Sequence, residues 1–136
     1  MSKIRLQAKI ENLERLMQFV SACAKEKGFT SKRIKEIELA TEEALVNIFN
    51  YSYPEHAGEV EVRCKVENDT RFIIEILDTG IPFNIHSISE PDLTENISNR
   101  KIGGLGIFLM RKMVEEVQYH RDEENNILTL IIHKVG

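Results

Sequence analysis

The spacing of apolar residues changes along this chain in an order that restricts its fold. Apolar and polar residues alternate over residues 4–10, as they do in a strand. Two helical patterns follow, with apolar residues three or four positions apart. The first ends at Gly28, and the second begins at Thr30 or Ser31 and runs to about Tyr51. The sequence therefore predicts one strand and two helices before the middle of the chain.

Two hairpins and a third helix complete the pattern. The predicted elements are alternating runs over 59–66 and 72–76 around an Asn68-Asp69 turn, a helix opening at Gly103, and a hairpin of 117–121 with 127–134 around Glu124-Asn125-Asn126. Residues 81–102 have no clear period and are predicted to form a long loop, which in a compact domain is usually functional. The order predicts a two-layer α/β sandwich, with a mixed, mostly antiparallel sheet and helices on one face.

Length and composition indicate a single globular domain over residues 1–136. With 42% apolar and 29% charged residues, the chain has enough apolar surface to fold. The net charge of −4 argues against direct nucleic-acid binding, which uses a basic surface. No apolar run approaches the roughly 18 residues of a membrane span, and the alternating N-terminus is unlike a signal peptide. We expect a cytoplasmic protein without a membrane anchor.

The two cysteines indicate the same compartment. Cys23 and Cys64 lie far apart in the sequence and have no CxxC spacing. They are predicted to be two buried, reduced thiols of a cytosolic protein. Two cysteines provide too few ligands for a structural zinc site.

One side of the second predicted helix carries a polar stripe of Glu43, Asn47 and Asn50. Spacings of four and three residues place all three on one side, with Glu36 further towards the N-terminus. The stripe is predicted to lie apart from the apolar face of Ile34 to Ile48. A carboxylate one turn from a carboxamide suits a general base beside an oxygen ligand for a metal. Taken alone, such a stripe is also typical of a solvated helix face.

The segment Asp78-Thr79-Gly80-Ile81-Pro82-Phe83 follows the second central strand. An aspartate can accept hydrogen bonds from an amino group, and a glycine lets a flat ring approach the backbone. Taken alone, the segment also fits a turn that closes a strand.

Glycines are concentrated at the start of the third predicted helix, in Gly103-Gly104-Leu105-Gly106. Such a helix start exposes backbone N–H groups to an anion. The segment lacks the Gly-Lys-Ser/Thr of a Walker A loop and is not a GxGxxG after a strand. Taken alone, it also fits a hinge or a tight turn.

These three segments, in this order, resemble those of the GHKL, or Bergerat-fold, ATPase superfamily. That superfamily includes histidine-kinase ATPase modules, type II topoisomerases, Hsp90-like chaperones and mismatch-repair ATPases. Glu43–Asn47 matches its N box, Asp78–Gly80 its G1 box, and Gly104–Gly106 its G2 box. The resemblance covers nearly the whole chain, from the first helix to the last strand.

Two stretches indicate which subfamily of this superfamily the chain resembles. Glu42–Asn47 and Gly103–Met110 are similar to those of the small bacterial anti-sigma factor/serine-protein kinases. Those proteins bind a sigma factor and phosphorylate a serine of a STAS-domain antagonist. A sensor histidine kinase would need a helical dimerisation module with a phosphoacceptor histidine before the ATPase. The second helix here begins near residue 30 and the first histidine is His56, so we expect no such module.

The resemblance implies a role for each matching residue. It implies that Asn47 coordinates Mg²⁺ on the phosphates of ATP and that Glu43 is the general base for the attacking serine hydroxyl. It implies that Asp78 accepts a hydrogen bond from the adenine amino group and that Gly80 lies beneath the adenine ring. The remaining implied nucleotide contacts are Asn50 at the ribose or phosphates, Pro82 in the G1 segment, Gly104, Leu105 and Gly106 in a closing lid, and Thr129 near Asp78.

Two departures from the pattern leave details open. In related kinases a basic residue near the lid approaches the phosphates, and here either Arg100 or Lys101 could do so. Asn50 and Tyr51 stand where relatives often carry histidine and glycine.

The implied protein is a cytoplasmic, Mg·ATP-dependent serine-protein kinase in transcription regulation. Its implied partners are a STAS-domain antagonist, a sigma factor and a second copy in a homodimer. The alternative function is a nucleotide-gated protein-binding module without useful kinase activity, in which the bound nucleotide sets the conformation of the lid.

Overall fold

The computed structural model describes residues 1–53, 58–82 and 110–134 of the chain. The elements, in order, are β1 (Ser2–Gln7), a 3₁₀ turn (Ile10–Asn12), α1 (Leu13–Lys27), α2 (Ser31–Asn47), a π-helical turn (Ile48–Ser52), β2 (Glu59–Glu67), β3 (Arg71–Asp78), β4 (Glu116–Asp122) and β5 (Asn125–His133). No helix in the described ranges is both long and apolar enough to cross a membrane.

The described strands form one antiparallel sheet in the order β1-β2-β3-β5-β4. Alternate residues of β2, β3 and β5 share a buried cluster with residues of α1 and α2, so both helices cover the same face of the sheet. This arrangement confirms the predicted α/β sandwich. β5 lies between β3 and β4, and it pairs Asp78 at the end of β3 with Asn126.

The buried residues of the core recur at the spacings that the sequence predicts for strands and helices. The sheet contributes residues two positions apart, and the helices contribute residues three or four positions apart. The main contributors are Val60, Val62, Phe72, Ile74, Ile76, Leu128, Leu130 and Ile132 from the sheet, and Leu16, Val20, Ala24, Ile37, Ala40, Ala44 and Leu45 from the helices. Asp78 continues the series of Ile74 and Ile76, and therefore lies on the face that the helices cover.

The helix ends match the predicted signals with one difference. Gly28 ends α1 in the left-handed region with φ 92°, and Thr30 caps α2 by accepting a hydrogen bond from the Arg33 N–H at 3.1 Å. The predicted second helix extends to about Tyr51, whereas α2 ends at Asn47 and continues as a π-helical turn. Single π-helical turns are frequent at functional sites.

The first hairpin confirms its predicted turn, but the second is shifted. Asn68 and Asp69 have φ values of 54° and 59°, which suit these residue types in a tight turn. The last turn instead lies at Glu123 and Glu124, so the predicted turn over residues 124–126 is wrong. Asn126 belongs to β5 because its buried side chain satisfies its polar atoms there.

Much of the predicted lid region lies outside the described residues. Residues 110–113, within the predicted third helix, are helical, and Met110 is fully buried in the core.

The two cysteines are neighbours in space. Cys64 on β2 is buried and Cys23 on α1 is half-buried, so only Cys64 meets the predicted burial. Both are free thiols. Burial is the main cause that raises the pKa of each thiol.

We expect both thiols to react slowly in the folded protein. The thiolate is the reactive form, and a raised pKa leaves little thiolate at pH 8. Iodoacetamide should alkylate Cys23 and Cys64 at least about tenfold more slowly in native than in guanidinium-unfolded protein, and the native rate should still be rising above pH 9. Mass spectrometry of labelled peptides against time measures both rates. Equal native and unfolded rates would contradict the expectation.

Candidate functional site

Asn47, the last residue of α2, presents a buried oxygen at the end of the helix. The side chain is 3% exposed, and its Nδ2 donates to the backbone oxygen of Glu43 at 2.8 Å. Within the described residues no donor reaches the buried Oδ1 atom. Because a buried acceptor without a partner is costly, this position suits a cation or a donor group from a ligand.

Glu43 lies one turn before Asn47 on the same side of α2 and is only partly exposed. The pKa of its carboxyl is raised, mainly by partial burial and to a smaller extent by the neighbouring Glu42 carboxylate. A carboxylate with a raised pKa is a stronger base than an exposed glutamate. The pair therefore combines a proton acceptor with an unpartnered carbonyl oxygen.

The other two residues of the predicted stripe, Asn50 and Glu36, are more exposed than Asn47. Asn50 lies in the π-helical turn and is exposed, whereas Asn47 is buried. Glu36 is half-exposed and forms an ion pair with Arg33 at 3.2 Å. The stripe is thus a buried amide and a partly buried acid, flanked by more accessible polar residues.

Asp78 occupies the end of β3 on the helix-covered face and is buried. Its Oδ1 atom accepts hydrogen bonds from Asn126 Nδ2 at 2.8 Å and from the Gly80 N–H at 2.9 Å. The second bond closes the turn that follows the strand. The predicted Asp78 and Gly80 are therefore in direct contact.

Asn126, opposite Asp78 on β5, is a site residue that the sequence analysis missed. Its Nδ2 also donates to the Ile81 backbone oxygen at 2.9 Å. Its Oδ1 accepts from the Tyr119 hydroxyl at 2.6 Å and from Arg121 Nη1 at 2.9 Å. Its position in a predicted turn concealed it, because asparagine is common in turns for local reasons.

Tyr53 brings the end of α2 and the Asp78 turn to the same end of the sheet. Its hydroxyl accepts from the Thr79 N–H at 2.9 Å and donates to the Glu59 backbone oxygen at 2.8 Å. A Cβ atom at Gly58 would collide with the Tyr53 ring, so the glycine permits this packing. No sequence signal marked Tyr53, because its partners are distant in the chain.

The predicted proximity of Thr129 to Asp78 is corrected by the strand register. Thr129 pairs with Glu75 on β3 and with Gln118 on β4. Its neighbours Leu128 and Leu130 face the helix-covered core, so Thr129 points to the opposite face of the sheet. The β5 residue that contacts Asp78 is Asn126.

Of the remaining predicted site residues, only Pro82 lies within the described residues. It is exposed and directly follows the exposed Ile81. Gly104, Leu105, Gly106 and the basic candidates Arg100 and Lys101 lie outside the described residues.

The profile of the family described as the histidine kinase-like ATPase domain matches residues 6–132, which include all the described site residues. The chain belongs to this family.

The curated relatives of this histidine kinase-like ATPase domain include bacterial kinases. It is 24% identical over 130 residues to a serine-protein kinase RsbW of Bacillus cereus, with 93% of this chain and 81% of the relative covered. The same figures hold for serine-protein kinase RsbW of Bacillus mycoides.

A solved structure supports the fold of this ATPase domain. It is the crystal structure of the RsbU and RsbW domains of a Mycobacterium tuberculosis protein, with a TM-score of 0.63 and 14% identity. The match covers 97% of this chain and 32% of that chain, so this chain spans about a third of its length.

Within the described residues, a metal ion would depend on ligands other than a cluster of acidic, histidine or cysteine side chains. This part of the chain contains no group of three or more histidine, cysteine, aspartate or glutamate side chains placed to hold a metal. Asn47 Oδ1 is a suitable hard ligand, and Mg²⁺ commonly uses one or two protein oxygens together with substrate phosphates and water. The residues present therefore fit a magnesium ion that arrives with a nucleotide.

Proposed function

We propose that this domain is a serine-protein kinase that transfers the γ-phosphate of ATP to a serine of a STAS-domain antagonist and also binds a sigma factor. The observation that carries the proposal is the pair on α2. Asn47 has a buried oxygen that no described donor reaches, one turn from the partly buried carboxyl of Glu43. A protein that only bound nucleotide would not need a base beside its metal ligand.

The proposal assigns the nucleotide to the end of the sheet where Asn47 and Asp78 lie. Asp78 accepts a hydrogen bond from the adenine amino group, and Gly80 allows the adenine ring to lie against the backbone. Asn50 and Pro82 border the nucleotide, and Gly104, Leu105 and Gly106 close over the phosphates. The Tyr53 contact with Thr79 supports this assignment, since it joins the segment after α2 to the Asp78 turn.

The transfer itself needs one proton acceptor and correct positioning. Glu43 accepts the proton of the serine hydroxyl as its oxygen forms a bond to the γ-phosphorus. The bond from the γ-phosphorus to the bridging oxygen breaks, and ADP leaves with that electron pair. Asn47 Oδ1 would hold Mg²⁺. When bound, the ion would neutralise part of the negative charge of the phosphates.

The partial burial of Glu43 gives the proposed base a pH dependence. Its carboxyl must be ionised to accept a proton, and its pKa is raised above the usual glutamate range. Transfer should therefore increase as pH rises through that raised pKa and level off once Glu43 is ionised.

The test is transfer of label from γ-labelled ATP to a purified STAS-domain protein from the same organism, followed by mapping of the labelled residue. Label on a serine of that protein supports the kinase. A protein that binds ATP and the STAS-domain partner but transfers no label contradicts it and favours the nucleotide-gated binding module.

Asn47→Asp should weaken ATP binding more than ADP binding. The substitution places a carboxylate close to the phosphates, and one unit charge at about 4 Å near a protein surface is worth between about 1 and 4 kcal/mol. We expect at least a roughly tenfold loss of ATP affinity relative to ADP, equivalent to about 1.4 kcal/mol. Calorimetry with each nucleotide, with and without EDTA, measures the difference.

Asn68→Asp is the matched control, since it makes the same chemical change in the β2–β3 turn. Its nucleotide affinities should equal those of the wild type. If Asn47→Asp also behaved as wild type and EDTA had no effect, Asn47 would have only a structural role.

A further inference from the structure

We propose that Tyr53 is a positioning residue that fixes the separation between the two ends of the nucleotide site, so that one ligand can contact Asn47 and Asp78 together. The inference rests on the proposed function, because it takes Asn47 as the phosphate end and Asp78 as the base end. That function assigns residues to each end but no residue to the distance between them.

The two ends of the site belong to different elements. Asn47 is the last residue of α2, and Asp78 is the last residue of β3. The β2–β3 register stops at the pair of Val60 and Asp78, so Glu59 and Thr79 face each other one step beyond it. A ligand that contacts both ends gains from both only if their separation is held before it binds.

The Tyr53 hydroxyl lies between these two strand ends. It accepts from the Thr79 N–H at 2.9 Å and donates to the Glu59 backbone oxygen at 2.8 Å. Since the hydroxyl has one proton, which Glu59 receives, the Thr79 hydroxyl at 3.3 Å must be the donor in the remaining contact. The hydroxyl thus uses its donor and both acceptor positions, and it holds the residue that follows Asp78.

The ring of Tyr53 is restrained separately from its hydroxyl. A Cβ atom at Gly58 would lie 2.5 Å from Cζ and 2.8 Å from the hydroxyl oxygen of Tyr53, so the ring packs directly on the glycine backbone. The Gly58 carbonyl oxygen accepts from the N–H of the buried Ala8 at 2.8 Å. The surface beneath the ring is therefore fixed to the segment that follows β1.

Tyr53 is connected to the phosphate end through the backbone. It follows the π-helical turn Ile48–Ser52, which continues directly from Asn47. Neither end needs the Tyr53 hydroxyl for its own hydrogen bonds, because Asn47 donates to the Glu43 backbone oxygen and Asp78 accepts from the Gly80 N–H. Loss of the hydroxyl should therefore leave both ends intact and loosen only the distance between them.

This separation affects ligands of different length differently. Once one end of ATP is bound, the other end binds at an effective concentration that depends on how closely the geometry is held. Adenosine and inorganic triphosphate each use one end and gain nothing from the second. The product of the Kd values for adenosine and triphosphate, divided by the Kd for ATP, therefore measures the coupling that we assign to Tyr53.

The test compares Tyr53→Phe with the wild type in the full chain. Kd values are measured for ATP, adenosine and inorganic triphosphate, each with Mg²⁺. For Tyr53→Phe we expect ATP binding to weaken about tenfold, while adenosine and triphosphate binding change by less than about threefold. Ser21→Ala is the matched control, because it removes a hydroxyl that joins α1 to Glu38 on α2. Its three Kd values should equal those of the wild type.

The outcomes separate the inference from the function on which it rests. A wild type that does not bind ATP contradicts the proposed function, and the inference with it. A wild type that binds ATP, beside a folded Tyr53→Phe variant with the same ratio of Kd values, overturns the inference alone. So does an equal loss of binding for all three ligands, because that result reports general damage to the fold.

A second variant decides the matter if Tyr53→Phe does not fold. Gly58→Ala keeps the hydroxyl in the chain but forces the Tyr53 ring to move. It should lower the ratio of Kd values at least about threefold, with adenosine and triphosphate binding each close to the wild type. An unchanged ratio in a folded Gly58→Ala protein overturns the inference.

Discussion

Glu43→Gln should reduce phosphoryl transfer by about 10²- to 10⁴-fold and leave ATP affinity within a few-fold of the wild type. The substitution keeps the size of the side chain and removes the carboxylate that we propose as the acceptor of the serine proton. Glu43 lies one turn from Asn47 on α2, so in the proposed site its loss should affect the reacting phosphate and not the binding of the base. Single-turnover transfer at saturating ATP, together with calorimetric ATP affinity, measures both effects.

Glu42→Gln is the matched control for this prediction. It makes the same change at the preceding residue of α2, where the side chain is exposed. Removing that carboxylate should only lower the raised pKa of Glu43 slightly, because Glu42 is the smaller of its two causes. Transfer by Glu42→Gln should therefore stay within a few-fold of the wild type, and its pH profile should shift slightly towards lower pH.

Stability provides a further check on Glu43. A carboxyl whose pKa is raised by folding stabilises the folded state when protonated, and that contribution is lost as pH rises through the raised pKa. At neutral pH the ionised Glu43 therefore lowers stability, and Glu43→Gln should melt at the same temperature as the wild type or slightly higher. If a folded Glu43→Gln protein transferred phosphate as fast as the wild type, that result would contradict the assignment of Glu43 as the base.

Asp78→Asn should nearly abolish ATP binding, with a loss on the order of 100-fold or more. Asn126 and Gly80 both donate to Oδ1, so the oxygen of the new amide must occupy that position. Its NH₂ group then lies where the other carboxylate oxygen was, and in the proposed binding mode it would meet the adenine amino group donor to donor. The same change should favour GTP relative to ATP, since guanine offers an acceptor there.

Asp69→Asn is the control for the loss of a carboxylate, because Asp69 lies in the β2–β3 turn with a fully exposed side chain. Its ATP affinity should be that of the wild type. Calorimetry with ATP and GTP measures all three proteins. If Asp78→Asn bound ATP as the wild type does, the base site would lie elsewhere.

The strands and helices of this chain could be predicted because their signals are local. Alternation over β2 and β3 reports which face of each strand is buried, and the spacing in α1 and α2 does the same for the helices. Gly28 and Thr30 act through their own backbone conformation and nearest neighbours. None of these inferences required knowledge of which strand pairs with which.

The contacts around Asp78 could not be predicted because they depend on register between distant segments. The predicted final turn was displaced by about one residue, and Asn126 was counted as part of it. Since side chains alternate along a strand, a shift of one residue exchanges the two faces of a sheet. The family resemblance implies that Thr129 lies near Asp78, whereas the register pairs Asp78 with Asn126, three residues earlier on β5. The contact of Tyr53 with Thr79 likewise joins segments 26 residues apart.

The position of β5 in the sheet has a consequence for synthesis on the ribosome. β5 is the latest of the described strands to emerge, yet it is inserted between β3 and β4. Until it leaves the exit tunnel, β3 has an open edge and the apolar side chains of β5 are missing from the core. The nascent chain must therefore delay completion of its sheet, and the aspartate at the end of β3 acquires its asparagine partner only in that final stage.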